Sequence, residues 1–146
     1  MQLTEHFEDY ELGVDGAPPE IVANAVYICE QLLEPIRAQF GPVNVHDGYR
    51  PPAHNEAVGG KPTSYHLYDG TQSAADIDAL PTGYQQVFDW IRLESGLPFD
   101  KVILETNPAG EPATVHLQID SGLPPRRLAY TGQTGAGTAY SPAEVK

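Results

Sequence analysis

Three short runs of the chain alternate apolar residues with polar or charged ones, and this alternation restricts the fold more than any other feature of the sequence. Successive side chains of a β-strand point to opposite faces. In "AADIDA", Asp76 and Asp78 therefore share one face while Ile77 takes the other. In "TVHLQI", His116 and Gln118 lie opposite Val115, Leu117 and Ile119, and in "KVILE", Glu105 lies opposite Val102 and Leu104. Each run thus offers an apolar face to a core and keeps ionisable or polar groups on the other. If the runs belong to one sheet, Asp76, His116 and Glu105, joined by His66 from "SYH", can converge on one polar surface. Two imidazoles and a carboxylate with a fourth position open is the arrangement of a catalytic zinc site, where a bound water is acidified to a pKa of about 7.

The remaining pattern supplies partners for such a sheet. "PPEIVANAVYICEQLLEPIRAQFG" has apolar residues at Val22, Val26, Cys29, Leu33, Ile36 and Phe40, the spacing of one helix face, and it ends at Gly41. Pro35 is expected to bend or loosen this helix, and Cys29 reads as a small core residue. "PVNVHDG" reads as a short strand, and "RPPAHNEAVGGKPTS" as a turn, a helical turn and a Gly-rich loop. "TGYQQVFDWIRLESG" predicts a second amphipathic helix with Thr82 at its N-cap and Val87, Trp90 and Ile91 facing inward. "RRLAY" is a further strand. From Thr131 the Gly- and Thr-rich sequence has no core pattern and reads as an extended tail.

At 146 residues the chain suits one domain, with its core over about 20–130 and the tail over 131–146. No run approaches the roughly 18 apolar residues of a membrane span. The acidic start "MQLTEHFEDYELG" is unlike a signal peptide, so a soluble protein is expected. A single cysteine excludes internal disulfides and Cys-rich zinc sites, leaving any metal to His and carboxylates. The net charge of −12 disfavours nucleic acid and anionic membranes as partners. A monomer is expected.

Taken in order, "HDGYRPPAHNEAVGGKPTSYH", "AADI", "FDKVILE" and "VHLQI" resemble the M15 family of zinc metallopeptidases, the D-alanyl-D-alanine carboxypeptidase type, in particular its small phage and bacterial branch. The resemblance extends over roughly Glu20 to Tyr130. It implies an α+β fold of the Hedgehog/DD-peptidase kind, a small antiparallel sheet with flanking helices. It further implies Zn2+ as cofactor and hydrolysis of peptidoglycan stem peptides, as a carboxypeptidase or an endolysin-type endopeptidase. With no export signal read, a phage-encoded protein made in the host cytoplasm and acting on the wall is expected.

Carried over by motif, the zinc ligands would be His66, Asp76 and His116. Nine residues separate His66 from Asp76, more than in the family pattern SxHxxGxAxD, and the extra ones fall in "YDGTQSA", a loop able to bulge without moving its ends. Asp69 is the alternative ligand. Arg50, in the Tyr-Arg motif, is suited to a substrate carboxylate or an oxyanion. Ser64 would donate to substrate or order its loop. Glu105 is preferred as the base, with Glu111 in "NPAGEP" as the alternative. His6, His46 and His54 are not expected as ligands, though His46 can line the site. Asn55, Gly59 and Gly60 shape their loop. Thr114 stands two residues before His116, where relatives often place an aromatic or a histidine. That departure and the longer spacing leave a second class open, a non-catalytic zinc-binding or wall-binding module.

Overall fold

Helix α1 (Pro19–Ile28) runs through a π-helical turn (Cys29–Leu33) into α2 (Glu34–Phe40) in the computed structural model, which describes residues 1–134 and 139–146. Pro35 has no N–H and its ring crowds the carbonyl one turn back. The helix accommodates it by widening just upstream, where the Glu34 N–H reaches back five residues to Cys29 O. The wide turn also rotates the buried stripe. Ala25, Ile28, Cys29, Leu32, Leu33 and Ile36 are buried, while Val22 and Val26 sit at its edge. Gly41 ends the helix at φ +90°, a left-handed backbone that side chains oppose.

Six strands follow in one sheet: β1 (Asn44–Asp47), β2 (Gln72–Asp78), β3 (Lys101–Thr106), β4 (Pro112–Asp120), β5 (Leu128–Gln133) and β6 (Ser141–Ala143). Their spatial order is β1-β2-β4-β3-β5-β6, antiparallel throughout except for the β3–β5 pair. Short helix α3 (Pro52–Ala57) and a 3₁₀ turn (Tyr65–Leu67) lie between β1 and β2, and α4 (Tyr84–Leu93) lies between β2 and β3. The architecture is α+β, with a mostly antiparallel sheet as the M15 resemblance implies. Ala75, Ile77, Val102, Leu104, Val115, Leu117 and Ile119 face α1, the π turn and α4, and form the core with them. Phe7, Leu12 and Val14 of the N-terminal segment join that core.

Two expectations change. Thr82 does not cap α4. Gly83 stands at the N-cap with no side-chain cap bond, while the Thr82 N–H closes a turn on Ala79 O at 3.0 Å. The segment from Thr131, read as a tail, carries β5 on to Gln133 and returns as β6, with Ala143 and Val145 packed on the core. The sequence hid this because strand pairing satisfies backbone groups whatever the side chains are; residues 135–138 of that segment lie outside the described residues. No helix among the described residues is long and apolar enough to cross a membrane.

Candidate metal centre

The sheet register assembles the polar face. Asp76 on β2 lies directly opposite His116 on β4, and across β4 on the other side Ile103 pairs with His116 and Glu105 with Thr114. His66 comes from the 3₁₀ turn, which packs against β2. The Ser64 hydroxyl caps that turn by accepting from the His66 N–H at 3.2 Å. The turn is further tied down by the Arg50 N–H, which donates to His66 O at 2.6 Å.

Hydrogen bonds fix how each imidazole is presented. His66 Nδ1 lies 2.7 Å from Gly48 O. A carbonyl only accepts, so Nδ1 holds a proton, and Nε2, 3.5 Å from Asp76 Oδ2, is the nitrogen left to a cation. His116 Nδ1 lies 2.9 Å from Asp76 Oδ1. The ligand atoms of His66, Asp76 and His116 all lie within 4.8 Å of one another. A tetrahedral ion with bonds of about 2.0–2.1 Å needs ligand atoms about 3.3 Å apart. His66 approaches one Asp76 oxygen at 3.5 Å and His116 the other at 2.9 Å, both close to that spacing, so the donor set is of a kind and compactness that could hold such an ion.

The electrostatics suit a cation. Burial alone would raise the Asp76 pKa, but hydrogen bonds and charge from His116 and His66 outweigh it and hold the carboxyl well below its usual range. For His116, burial works against the charged ring, yet Asp76 and then Glu105 push its pKa up overall. Asp69 stays outside, exposed in a turn where its carbonyl accepts from the Gln72 N–H. The nine residues between His66 and Asp76 form a mostly packed segment with a short bulge. Only Asp69, Gly70 and Thr71 bulge, while Tyr68 is buried with its hydroxyl on Ala74 O at 2.8 Å, and β2 begins at Gln72. Asn24 on α1 clamps the bulge through Tyr68 O and Gly70 O.

The other polar groups expected from the sequence take different places in the fold. Arg50 Nε donates to Asp47 Oδ2 at 2.6 Å and Nη1 to Asn55 Oδ1 at 3.1 Å. A Cβ at Gly60 would strike the Asn55 amide and crowd Arg50 Nη1, so that glycine is required by close approach. Glu105 is buried, and the Thr134 hydroxyl donates to its Oε2 at 2.7 Å. Glu111 is exposed in its turn, where its side chain accepts from Asn107 Nδ2 at 3.3 Å. His46 pairs with Asp78 at 2.6 Å, His54 is exposed on α3, and neither joins the cluster. His6 hydrogen-bonds Glu34 and forms, with Glu5, a second group of possible ligands in a largely exposed position.

Three features escaped the sequence reading. Asp47 holds Arg50, although the sequence marks it only as part of a strand. Gln118 was placed on the polar face, but its bond to His116 Nε2 at 2.8 Å depends on side-chain geometry. Tyr140 stacks over Gly132, whose Cβ would collide with its ring. Burial and the nearby Glu105 and Asp76 carboxylates push the Tyr140 phenol up to about 12. Nothing in a Gly- and Thr-rich stretch signalled that position.

The fold and this cluster define a small α+β domain with a His/Asp/His group able to hold a metal ion on the polar face of its sheet. The family model for peptidase M15 matches residues 1–101, and the chain belongs to that family of peptidases. The match takes in Arg50, Ser64, His66 and Asp76 and ends before Glu105 and His116. No curated protein matches the sequence.

Proposed function

We propose that the protein is a zinc metallopeptidase that hydrolyses the stem peptides of peptidoglycan, with His66, Asp76 and His116 as ligands, Glu105 as general base and Arg50 as oxyanion and substrate donor. The observation that carries the reading is the convergence of those three ligand atoms on the face that also bears Glu105. When bound there, zinc supplies Lewis acidity and lowers the pKa of a water toward about 7. Glu105 takes the proton of the attacking water, and the Thr134 hydroxyl on Oε2 orients its carboxylate. The same carboxyl then passes a proton to the leaving amine. Arg50, braced by Asp47 and Asn55, presents the rest of its guanidinium to the developing oxyanion or to a substrate carboxylate. Ser64 acts through its cap, keeping His66 in place.

The substrate class and an endolysin-type role on cell walls rest on the motif resemblance within a peptidase family. Purified peptidoglycan incubated with the protein, with and without a chelator, tests the reading. Release of new amino termini or free D-alanine that stops on chelation and returns with zinc is expected, and the products identify the bond cut. A zinc-loaded protein that releases nothing would instead make it a binding module.

A further inference from the structure

A chain of hydrogen bonds leads from the surface to the back of His116 and is not used by the chemistry above. Arg126, with its side chain 53% exposed, grips Asp100 with two bonds, Nε to Oδ1 at 2.6 Å and Nη2 to Oδ2 at 2.8 Å. Asp100 is buried, and Gln118 Nε2 donates to its Oδ2 at 2.8 Å. Gln118 Oε1 then meets His116 Nε2 at 2.8 Å. The Asp100 and Gln118 backbones are tied as well, by the Asp100 N–H on Gln118 O at 2.9 Å.

Donor and acceptor chemistry gives this chain one direction. An Asp100 carboxylate paired with a guanidinium only accepts, so the face of the Gln118 amide turned to it must be the NH2 group. The amide oxygen is thereby committed to His116, and an oxygen acceptor requires a proton on Nε2. With Nε2 protonated, Nδ1 is the nitrogen free to bind a cation, and it is the one beside Asp76. His66 reaches the same end by a shorter route, with Gly48 O holding its Nδ1 proton.

We propose that Gln118, Asp100 and Arg126 are positioning residues that fix the His116 ring with Nε2 protonated and Nδ1 presented to the metal. The inference rests on the reading of His116 as a zinc ligand. Partners of metal-bound histidines of this kind typically tune affinity by about 10- to 100-fold. Gln118→Met keeps the volume and removes the acceptor, whereas Arg126→Met, at the exposed end, loosens only the grip on Asp100.

Zinc affinity, measured by competition with a chelating dye, and the His116 ring signals of the zinc-loaded protein in long-range proton–nitrogen spectra test this together. The expected result is a roughly 10- to 100-fold loss of affinity in Gln118→Met and a smaller loss in Arg126→Met. In the unaltered protein Nδ1 carries the metal-bound shift and Nε2–H is protected from exchange, and Gln118→Met loses that protection. Wild-type affinity and an unchanged Nε2–H signal in both variants would overturn the proposal, as would metal on Nε2. Should Gln118→Met not fold, Arg126→Met with unchanged affinity and ring signals overturns it alone. An unaltered protein that takes up no zinc would show instead that the metal reading itself is wrong.

Discussion

Asp76 and Asp69 are chemically identical and seven positions apart, and position in the fold separates them. Asp76 is placed by strand register opposite His116, while Asp69 sits in the exposed bulge. Asp69→Asn should therefore leave about one zinc per chain, the count for a three-ligand site. Asp76→Asn, His66→Ala and His116→Ala should each bind it far more weakly. Metal analysis of the purified variants checks this, and the reverse ranking of the two aspartates would make Asp69 the ligand. The same logic divides Glu105 from Glu111. Glu105 is buried on the polar face and held by Thr134, whereas the exposed Glu111 carboxylate accepts from Asn107 within its own turn. Glu105→Gln keeps the shape and the Thr134 contact but cannot take a proton. It should retain zinc and lose turnover by roughly 10²- to 10⁴-fold, while Glu111→Gln should change little. Near-normal rates for Glu105→Gln on peptidoglycan, with zinc checked in both variants, would remove it as the base.

Elements built on side-chain periodicity were legible in the sequence; elements built on backbone pairing were not. The alternation in β2, β3 and β4 set Asp76, His116 and Glu105 on one face, and the register shows them there. Strand β6 had no such signal. Of its residues Ser141, Pro142 and Ala143 only Ala143 reaches the core, and its pairing to β5 depends on main-chain bonds. The segment is nonetheless bound at several points. Arg92 Nη1 donates to Glu144 O at 2.8 Å, the Lys146 N–H to Arg92 O at 2.8 Å, and Arg127 Nη2 to Lys146 O at 3.1 Å. It also delivers Tyr140 to the side of Glu105. Ending the chain after Thr134 would strip these contacts and leave β5 as an open edge. The three proposed ligands lie on the 3₁₀ turn, β2 and β4, outside the removed segment. The truncated protein should show a lower unfolding temperature and reduced turnover while still taking up zinc. Thermal unfolding and metal analysis of that form check the separation, and loss of zinc along with stability would mean that β6 holds the site together.

Across the whole molecule, protons and metal compete at His116. Both of its ring nitrogens face oxygen, Asp76 on one side and Gln118 on the other, so the metal-free pocket favours the imidazolium. Burial opposes that charge, but Asp76 and the charge of Glu105 raise the pKa overall. A raised pKa contributes stability that is complete below the unfolded value of about 6.5 and is lost as pH rises through the folded one. Asp76 has the opposite sign. Its depressed pKa contributes above about 3.9 and is lost as pH falls through the folded value. The metal-free protein should therefore draw most from this pair between about pH 4 and 6.5, and weaken as His116 deprotonates. Zinc binding runs the other way, because the ion must replace the proton on the imidazole. A ligand that binds only the folded state stabilises it more as its affinity rises. The gain in unfolding temperature on adding stoichiometric zinc should consequently grow between about pH 6 and pH 8 while the metal-free value falls. A net charge of −12 means that any divalent cation relieves some self-repulsion, so magnesium, which prefers oxygen ligands, is the control and should give a small gain without this pH trend. Thermal unfolding with zinc, with magnesium and with chelator across that range decides the matter. A zinc gain that stays flat or shrinks as pH rises would show that no proton is displaced at His116.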